Sequence, residues 1–122
     1  MLQIEGIFEI AIRVKDLSRA QTFYRDILGF EEGMRDEQRR WLFMWVGTRS
    51  GMIVLQEDKG EWPAQHFAFK ITSANLELAA THLRERDITV SQPVHHGGMG
   101  GISVYFDDPD GNQLELYAPI ET

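Results

Sequence analysis

Glu9-Ile10-Ala11-Ile12-Arg13-Val14 and His66-Phe67-Ala68-Phe69-Lys70-Ile71 are two versions of one pattern. Each is a β-rich run with a small residue third and a basic residue fifth. Apolar residues at intervals of three and four follow each run: Leu17, Ala20, Phe23, Tyr24 and Ile27 after the first, and Leu76, Ala79, Ala80 and Leu83 after the second. That spacing predicts a helix in each place. Ser18 and Ser73 are the candidate N-caps, and Gly29 can end the first helix in a left-handed conformation. Three strands are expected after each helix: 31–35, 41–46 and 52–56, then 88–91, 102–106 and 113–117. Each half therefore reads β-α-β-β-β. A polar, punctuated connector at 59–64 separates a first module at 1–58 from a second at 65–122. The expected architecture is α+β: one domain of two βαβββ modules whose mixed sheets curl into a cup.

A duplication makes positions equivalent. Glu9 is the counterpart of His66. Ile53-Val54-Leu55 aligns with Leu114-Glu115-Leu116, so Val54 is the counterpart of Glu115. If the concave faces of two such sheets meet about a pseudo-twofold axis, positions 9, 54, 66 and 115 converge. Strand parity agrees, because successive side chains alternate between faces. Ile10, Ile12 and Val14 share a face suited to a helix, and Glu9, Ala11 and Arg13 share the other. Likewise Glu115 lies opposite Leu114 and Leu116, and His66 shares a face with Ala68 and Lys70.

The composition narrows the function. Of 122 residues, 43% are hydrophobic and 25% charged, the balance of a soluble globular chain. The net charge of −7 argues against nucleic acid, which calls for a basic surface. Cysteine is absent, which excludes disulfides, thiolate–zinc sites and a cysteine nucleophile. No basic run leads into a long apolar one, and no stretch is long enough to cross a bilayer, so neither a signal peptide nor a membrane partner is expected and the cytoplasm is the default location.

Two longer stretches carry a family resemblance. One runs from Ala11 to Leu17 and on through Phe23-Tyr24-Arg25-Asp26-Ile27-Leu28-Gly29-Phe30. The other is Phe106-Asp107-Asp108-Pro109-Asp110-Gly111-Asn112-Gln113-Leu114-Glu115-Leu116-Tyr117. In the second, Pro109 fixes one turn angle, Gly111 takes a positive φ, and the turn aims Glu115. With His66-Phe67-Ala68-Phe69, these stretches resemble the vicinal-oxygen-chelate superfamily of glyoxalases, bleomycin-resistance proteins and extradiol dioxygenases. The resemblance implies a divalent metal ion (Mn, Fe, Ni, Zn or Mg) held by Glu9, His66 and Glu115. Two carboxylates and one imidazole suit such cations and leave positions open for an oxygen-chelating small molecule. It also implies a homodimer, in which related modules complete their sites across subunits.

The expected function is thus a metal-dependent lyase, isomerase or dioxygenase, with Glu9 or Glu115 doubling as a base. The other reading is a metal-free protein that binds an antibiotic or similar small molecule, as bleomycin-resistance relatives do. Candidate substrate contacts are Tyr105, which matches a tyrosine of fosfomycin-resistance relatives, together with Arg13 and Trp45. Each has a plainer reading: a barrel-filling aromatic, a solvated strand end, a packing residue. His95-His96-Gly97-Gly98-Met99-Gly100-Gly101 reads as a flexible loop that as a lid would swing a histidine over the cup. There are departures from the family. Glu9 replaces the usual histidine, and Val54 vacates a fourth ligand position. Ala11 stands where fosfomycin thiol transferases carry a hydroxyl, and no basic residue follows Glu115.

Overall fold

The computed structural model describes residues 2–120. The chain divides into two compact units, 1–62 and 63–122, with the division inside the expected connector.

The first unit contains β1 (Glu9–Val14), α1 (Leu17–Thr22), β2 (Glu31–Asp36), β3 (Trp41–Val46) and β4 (Gly51–Glu57). Its four-stranded sheet has the order β1-β4-β3-β2. β1 runs parallel to β4, and the other pairs are antiparallel. Alternation along β1 is as read: Ile12 and Val14 are buried while Glu9, Ala11 and Arg13 are exposed. Leu17, Ala20, Phe23 and Tyr24 are the buried residues of the helical stretch, which widens to π spacing over Phe23–Ile27. Gly29 ends it at φ 78°. There the amide of Gly29 reaches the Arg25 carbonyl at 3.1 Å, and that of Phe30 reaches Tyr24 at 2.9 Å, satisfying carbonyls the last turn leaves open.

The cap is not Ser18. Asp16 takes that place, its carboxylate accepting from the Arg19 amide at 3.0 Å, a bond that holds the Asp16 carboxyl below its ordinary range. A carboxylate and a hydroxyl two residues apart both qualify as caps. Asp16 prevails because the chain is still extended there, and Ser18 already lies inside the helix.

The second unit contains β5 (His66–Lys70), α2 (Ser73–Arg84), β6 (Val94–His95), β7 (Ile102–Asp107) and β8 (Gln113–Ala118). The sheet order, β5-β8-β7-β6, repeats the first, with β5 and β8 parallel. α2 buries Leu76, Ala80 and Leu83. Its N-cap is Thr72 rather than Ser73, and Thr72 makes no side-chain capping bond. The expected strand at 88–91 is also displaced: residues 88–91 are irregular, and pairing with β7 is confined to Val94 and His95. Pro93 lacks the amide hydrogen a ladder requires and restrains Gln92, so regular pairing starts only after it. Ser91 still exchanges bonds with Tyr105, amide to carbonyl at 2.9 Å and Tyr105 amide to the Ser91 hydroxyl at 2.9 Å.

The registers bear out the duplication. Glu9 pairs with Met52 and Ala11 with Val54; His66 pairs with Gln113 and Ala68 with Glu115. Among the described residues no helix is long and apolar enough to cross a membrane.

Candidate metal and substrate site

In the second unit, His66 and Glu115 come together on the sheet face turned away from α2. The turn before β8 sets this up. The Asp108 carboxylate is buried; one oxygen accepts from the amides of Asp110 and Asn112, each at 2.9 Å, and the other from the Asn112 side chain at 2.9 Å. Gly111 turns the chain at φ 81°. Asn112, fully buried, then accepts the Gln65 amide at 3.0 Å, and the Gln113 amide donates to the Gln65 carbonyl at 2.8 Å. The starts of β5 and β8 are thereby locked in register, which places His66 beside Gln113 and two residues from the pair Ala68–Glu115.

The His66 ring is fixed by two contacts. Its Nδ1 lies 3.1 Å from the Gln113 carbonyl, and its Nε2 lies 3.0 Å from Oε1 of Glu115. A carbonyl only accepts, so Nδ1 carries a hydrogen, and in the neutral ring Nε2 presents a lone pair. Oε1 of a carboxylate also only accepts. Two lone pairs facing at 3.0 Å call for a positive particle between them, a proton or a metal ion. An imidazole whose far nitrogen donates to a backbone carbonyl is the arrangement that orients metal-binding histidines. The separation is also that of two donors each about 2.1 Å from one ion at a right angle. The residues therefore fit a divalent metal.

The other carboxylate oxygen is held as well. Ser103, fully buried on β7, donates to Oε2 of Glu115 at 2.5 Å. Nε2 of His96 lies 2.8 Å from the Ser103 hydroxyl oxygen. Glu115 is 9% exposed, so the Ser103 hydroxyl rather than bulk water satisfies Oε2. No sequence motif marks Ser103, and His96 falls in the stretch expected to be a flexible loop. Parity held the signal: Ser103 precedes Tyr105 by two residues and so shares the face of Glu115.

The segment 96–101 closes on its last two glycines. Gly100 and Gly101 have φ of 77° and 83°. A Cβ on Gly101 would stand 2.6 Å from the Ala118 carbonyl. The His96 amide bonds the Gly101 carbonyl at 3.1 Å, and the Tyr117 hydroxyl donates to that of Gly100 at 2.9 Å. His95 and His96 part ways, as neighbours at a strand end do: His95 lines a separate groove with Leu76 and Arg84. His96 borders a cavity of about 370 Å³ with Ala68, Met99, Gly100, Glu115 and Tyr117. This cavity offers one carboxylate and one imidazole in an otherwise apolar wall.

The remaining candidates fall as follows. Tyr105 is the cross-strand partner of Glu115, half-buried, its ring 6.3 Å from that of His66. Arg13 is exposed and pairs with Asp58 at 3.5 Å. Trp45 packs edge-on against Phe8 at 6.1 Å, with the Arg49 guanidinium 5.3 Å from its ring. Glu9 is exposed at the start of β1 in the first unit. Among the described residues, no group of three or more His, Asp or Glu side chains gathers closely enough to hold an ion unaided.

Residues 6–116 match the family described as the Glyoxalase/Bleomycin resistance protein/Dioxygenase superfamily. The chain belongs to this superfamily. A solved integron cassette protein from the mobile metagenome of the Halifax Harbour sewage outfall is 44% identical, with a TM-score of 0.90 over 94% of this chain and 99% of the other. A lactoylglutathione lyase from Agrobacterium tumefaciens is 26% identical, with a TM-score of 0.82 over 96% of each chain. The metallothiol transferase FosB of Staphylococcus haemolyticus is 27% identical over 93% of this chain and 84% of its own. Relatives of this chain thus include a metal-named transferase, and Ala11 does not set the chain outside the family.

Proposed function

We propose that the protein is a divalent-metal-dependent enzyme acting on a small molecule that coordinates through neighbouring oxygens. His66 and Glu115 are two of its metal ligands, and Glu9, the duplicate of His66, is the third. The observation that carries this reading is the 3.0 Å approach of His66 Nε2 to Glu115 Oε1, with Nδ1 committed to the Gln113 carbonyl. The bound ion would supply Lewis acidity, polarising a substrate oxygen and stabilising the anion formed on it. The chain's own residues do the rest. His66 is locked in one tautomer by the Gln113 carbonyl, and Glu115 is held at Oε2 by Ser103. Tyr105, next to both, is the proposed substrate contact; Arg13 and Trp45 are engaged by Asp58, Phe8 and Arg49. The largely apolar wall beside Glu115 offers a surface for the non-coordinating part of a substrate. Oxygen-rich, thiol-linked compounds are the substrate class to screen, because FosB and the lyase are named for thiol chemistry. The proposal includes a homodimer, consistent with exposed Leu2, Ile4, Ile7 and Phe8.

The test is metal content by plasma mass spectrometry on untagged protein, with light scattering on the same sample and Glu115→Ala and Glu9→Ala variants alongside. About one divalent ion per chain, lost in both variants, is expected, at the mass of a dimer. No metal after soaking with Mn, Fe, Ni and Zn would remove the chelate mechanism and favour the metal-free binding protein. Metal retained in Glu9→Ala alone would remove only the third ligand.

A further inference from the structure

The proposed ligand set leaves one structural element without a role: the histidine carried by the glycine-rich segment. His96 Nε2 and Glu115 Oε2 are 3.9 Å apart, too far for a hydrogen bond. Ser103 fills the gap, 2.8 Å from the imidazole and 2.5 Å from the carboxylate. A hydroxyl has one hydrogen. Since a carboxylate only accepts, Ser103 gives that hydrogen to Oε2 and must accept from His96. The chain therefore has one direction, from His96 Nε2–H to Ser103 Oγ–H to Glu115 Oε2. His96 is not a wandering side chain. Its amide is tied to Gly101, and its ring stands edge-on to Tyr117 at 5.8 Å, while the Tyr117 hydroxyl holds Gly100.

From this geometry we infer that His96, acting through Ser103, is a positioning residue for Glu115: the pair occupies Oε2 and leaves Oε1 alone to face His66 and the cation. The inference rests on the metal reading above and deepens it. A free carboxylate rotates about its last bond and can offer either oxygen or both. One oxygen committed to a buried hydroxyl removes that freedom, so Glu115 binds through a single oxygen. The same chain links the wall of the cavity to the metal ligand, because His96 borders the space a substrate would fill. Partners of this kind commonly alter metal affinity by about 10- to 100-fold.

The experiment uses the full chain and Mn(II) alone as probe, with circular dichroism confirming that each variant folds. Ser103→Ala and His96→Ala are each expected to weaken Mn(II) binding about tenfold. The double variant should bind no more weakly than Ser103→Ala, because His96 acts only through the hydroxyl. His96→Gln, whose side-chain amide can donate to Ser103, should restore most of the loss. Losses that add, or single variants that bind as the parent does, overturn the inference. Metal-free protein gives a second reading: nitrogen NMR should find His96 as the Nε2–H tautomer, and Ser103→Ala should remove its hydrogen-bond shift. A His96 signal indifferent to Ser103→Ala overturns the inference while leaving the metal site intact. A parent that binds no Mn(II) overturns both.

Discussion

The two modules share a backbone and are pinned at opposite ends. At the start of the parallel pair in the first, the Met52 amide donates to the Phe8 carbonyl at 2.8 Å; at the equivalent place in the second, Gln113 donates to Gln65 at 2.8 Å. The residue before the donor differs. Gly51 in the first module offers no side chain, whereas Asn112 in the second ties Gln65 to Asp108. At the far end the situation reverses. Glu57, closing β4, accepts the Leu17 amide at 2.8 Å and meets Arg40 at 3.4 Å, and Asp16 caps the helix. The far end of the second module has an uncapped Thr72. The second module spends its side-chain bonds where His66 and Glu115 stand, and the first spends them on anchoring a helix. The side-chain pin thus lies at the candidate-site end in the second module and at the opposite end in the first, where buried Val54 is the counterpart of Glu115.

The largest expected effect comes from cutting the second pin. Asn112→Ala deprives the Gln65 amide of its acceptor and the buried Asp108 carboxylate of a donor. Stranding buried polar groups costs about 1–3 kcal/mol each, so we expect a loss of about 3 kcal/mol in urea unfolding. Metal affinity should fall with it, since His66 rides on β5. An Asn112→Ala protein as stable as the parent would show the pin to be ornamental and the asymmetry between modules to be without energetic content.

A glycine pair sharpens the same contrast. Gly101→Ala, in the second module, meets both a positive φ and a carbonyl 2.6 Å from the new Cβ. Gly29→Ala, in the first, meets the positive φ of 78° and nothing within 4 Å. The left-handed conformation alone costs about 1 kcal/mol, the expectation for Gly29→Ala. Gly101→Ala should cost about 2 kcal/mol or more, because backbone must shift as well. Thermal melts of the two variants compare them directly, and equal losses would mean that segment 96–101 yields without resistance.

Much of this is legible in the sequence. Period-two alternation set Glu9, His66 and Glu115 opposite the apolar positions of their strands, and the matched runs made Glu9 the counterpart of His66 and Val54 that of Glu115; the parallel registers, Ala11 against Val54 and Ala68 against Glu115, repeat accordingly. The DPDGN turn announced itself through Pro109 and Gly111. What stayed hidden depended on competition or on diagonal contacts. Asp16 and Ser18 are both competent caps, and only the dihedral of the entering chain chooses. Pro93 delayed the edge strand past 88–91 to Val94. The chain from His96 through Ser103 joins residues seven and twelve apart across three segments, and no local period encodes it. The helix stops and caps are local chemistry, whereas the second oxygen of Glu115 is a tertiary fact.

The smallest expected effect belongs to the first pin, and it carries a pH signature. The Leu17 amide, then the Arg40 guanidinium, hold the Glu57 carboxyl below the ordinary glutamate range. The folded chain thus binds this proton less readily than the unfolded one. The contribution of Glu57 is therefore whole above the unfolded pKa and disappears as pH falls through the lower, folded one. Glu57→Gln keeps a group at the helix start without the charge. It should cost about 1 kcal/mol at neutral pH, and that difference from the parent should close as the medium is acidified below the glutamate range. At neutral pH, Mn(II) affinity should be the same in Glu57→Gln as in the parent. Were Glu57→Gln to weaken the metal as much as Asn112→Ala does, the two pins would be serving one purpose, and the division of labour between the modules would have to be abandoned.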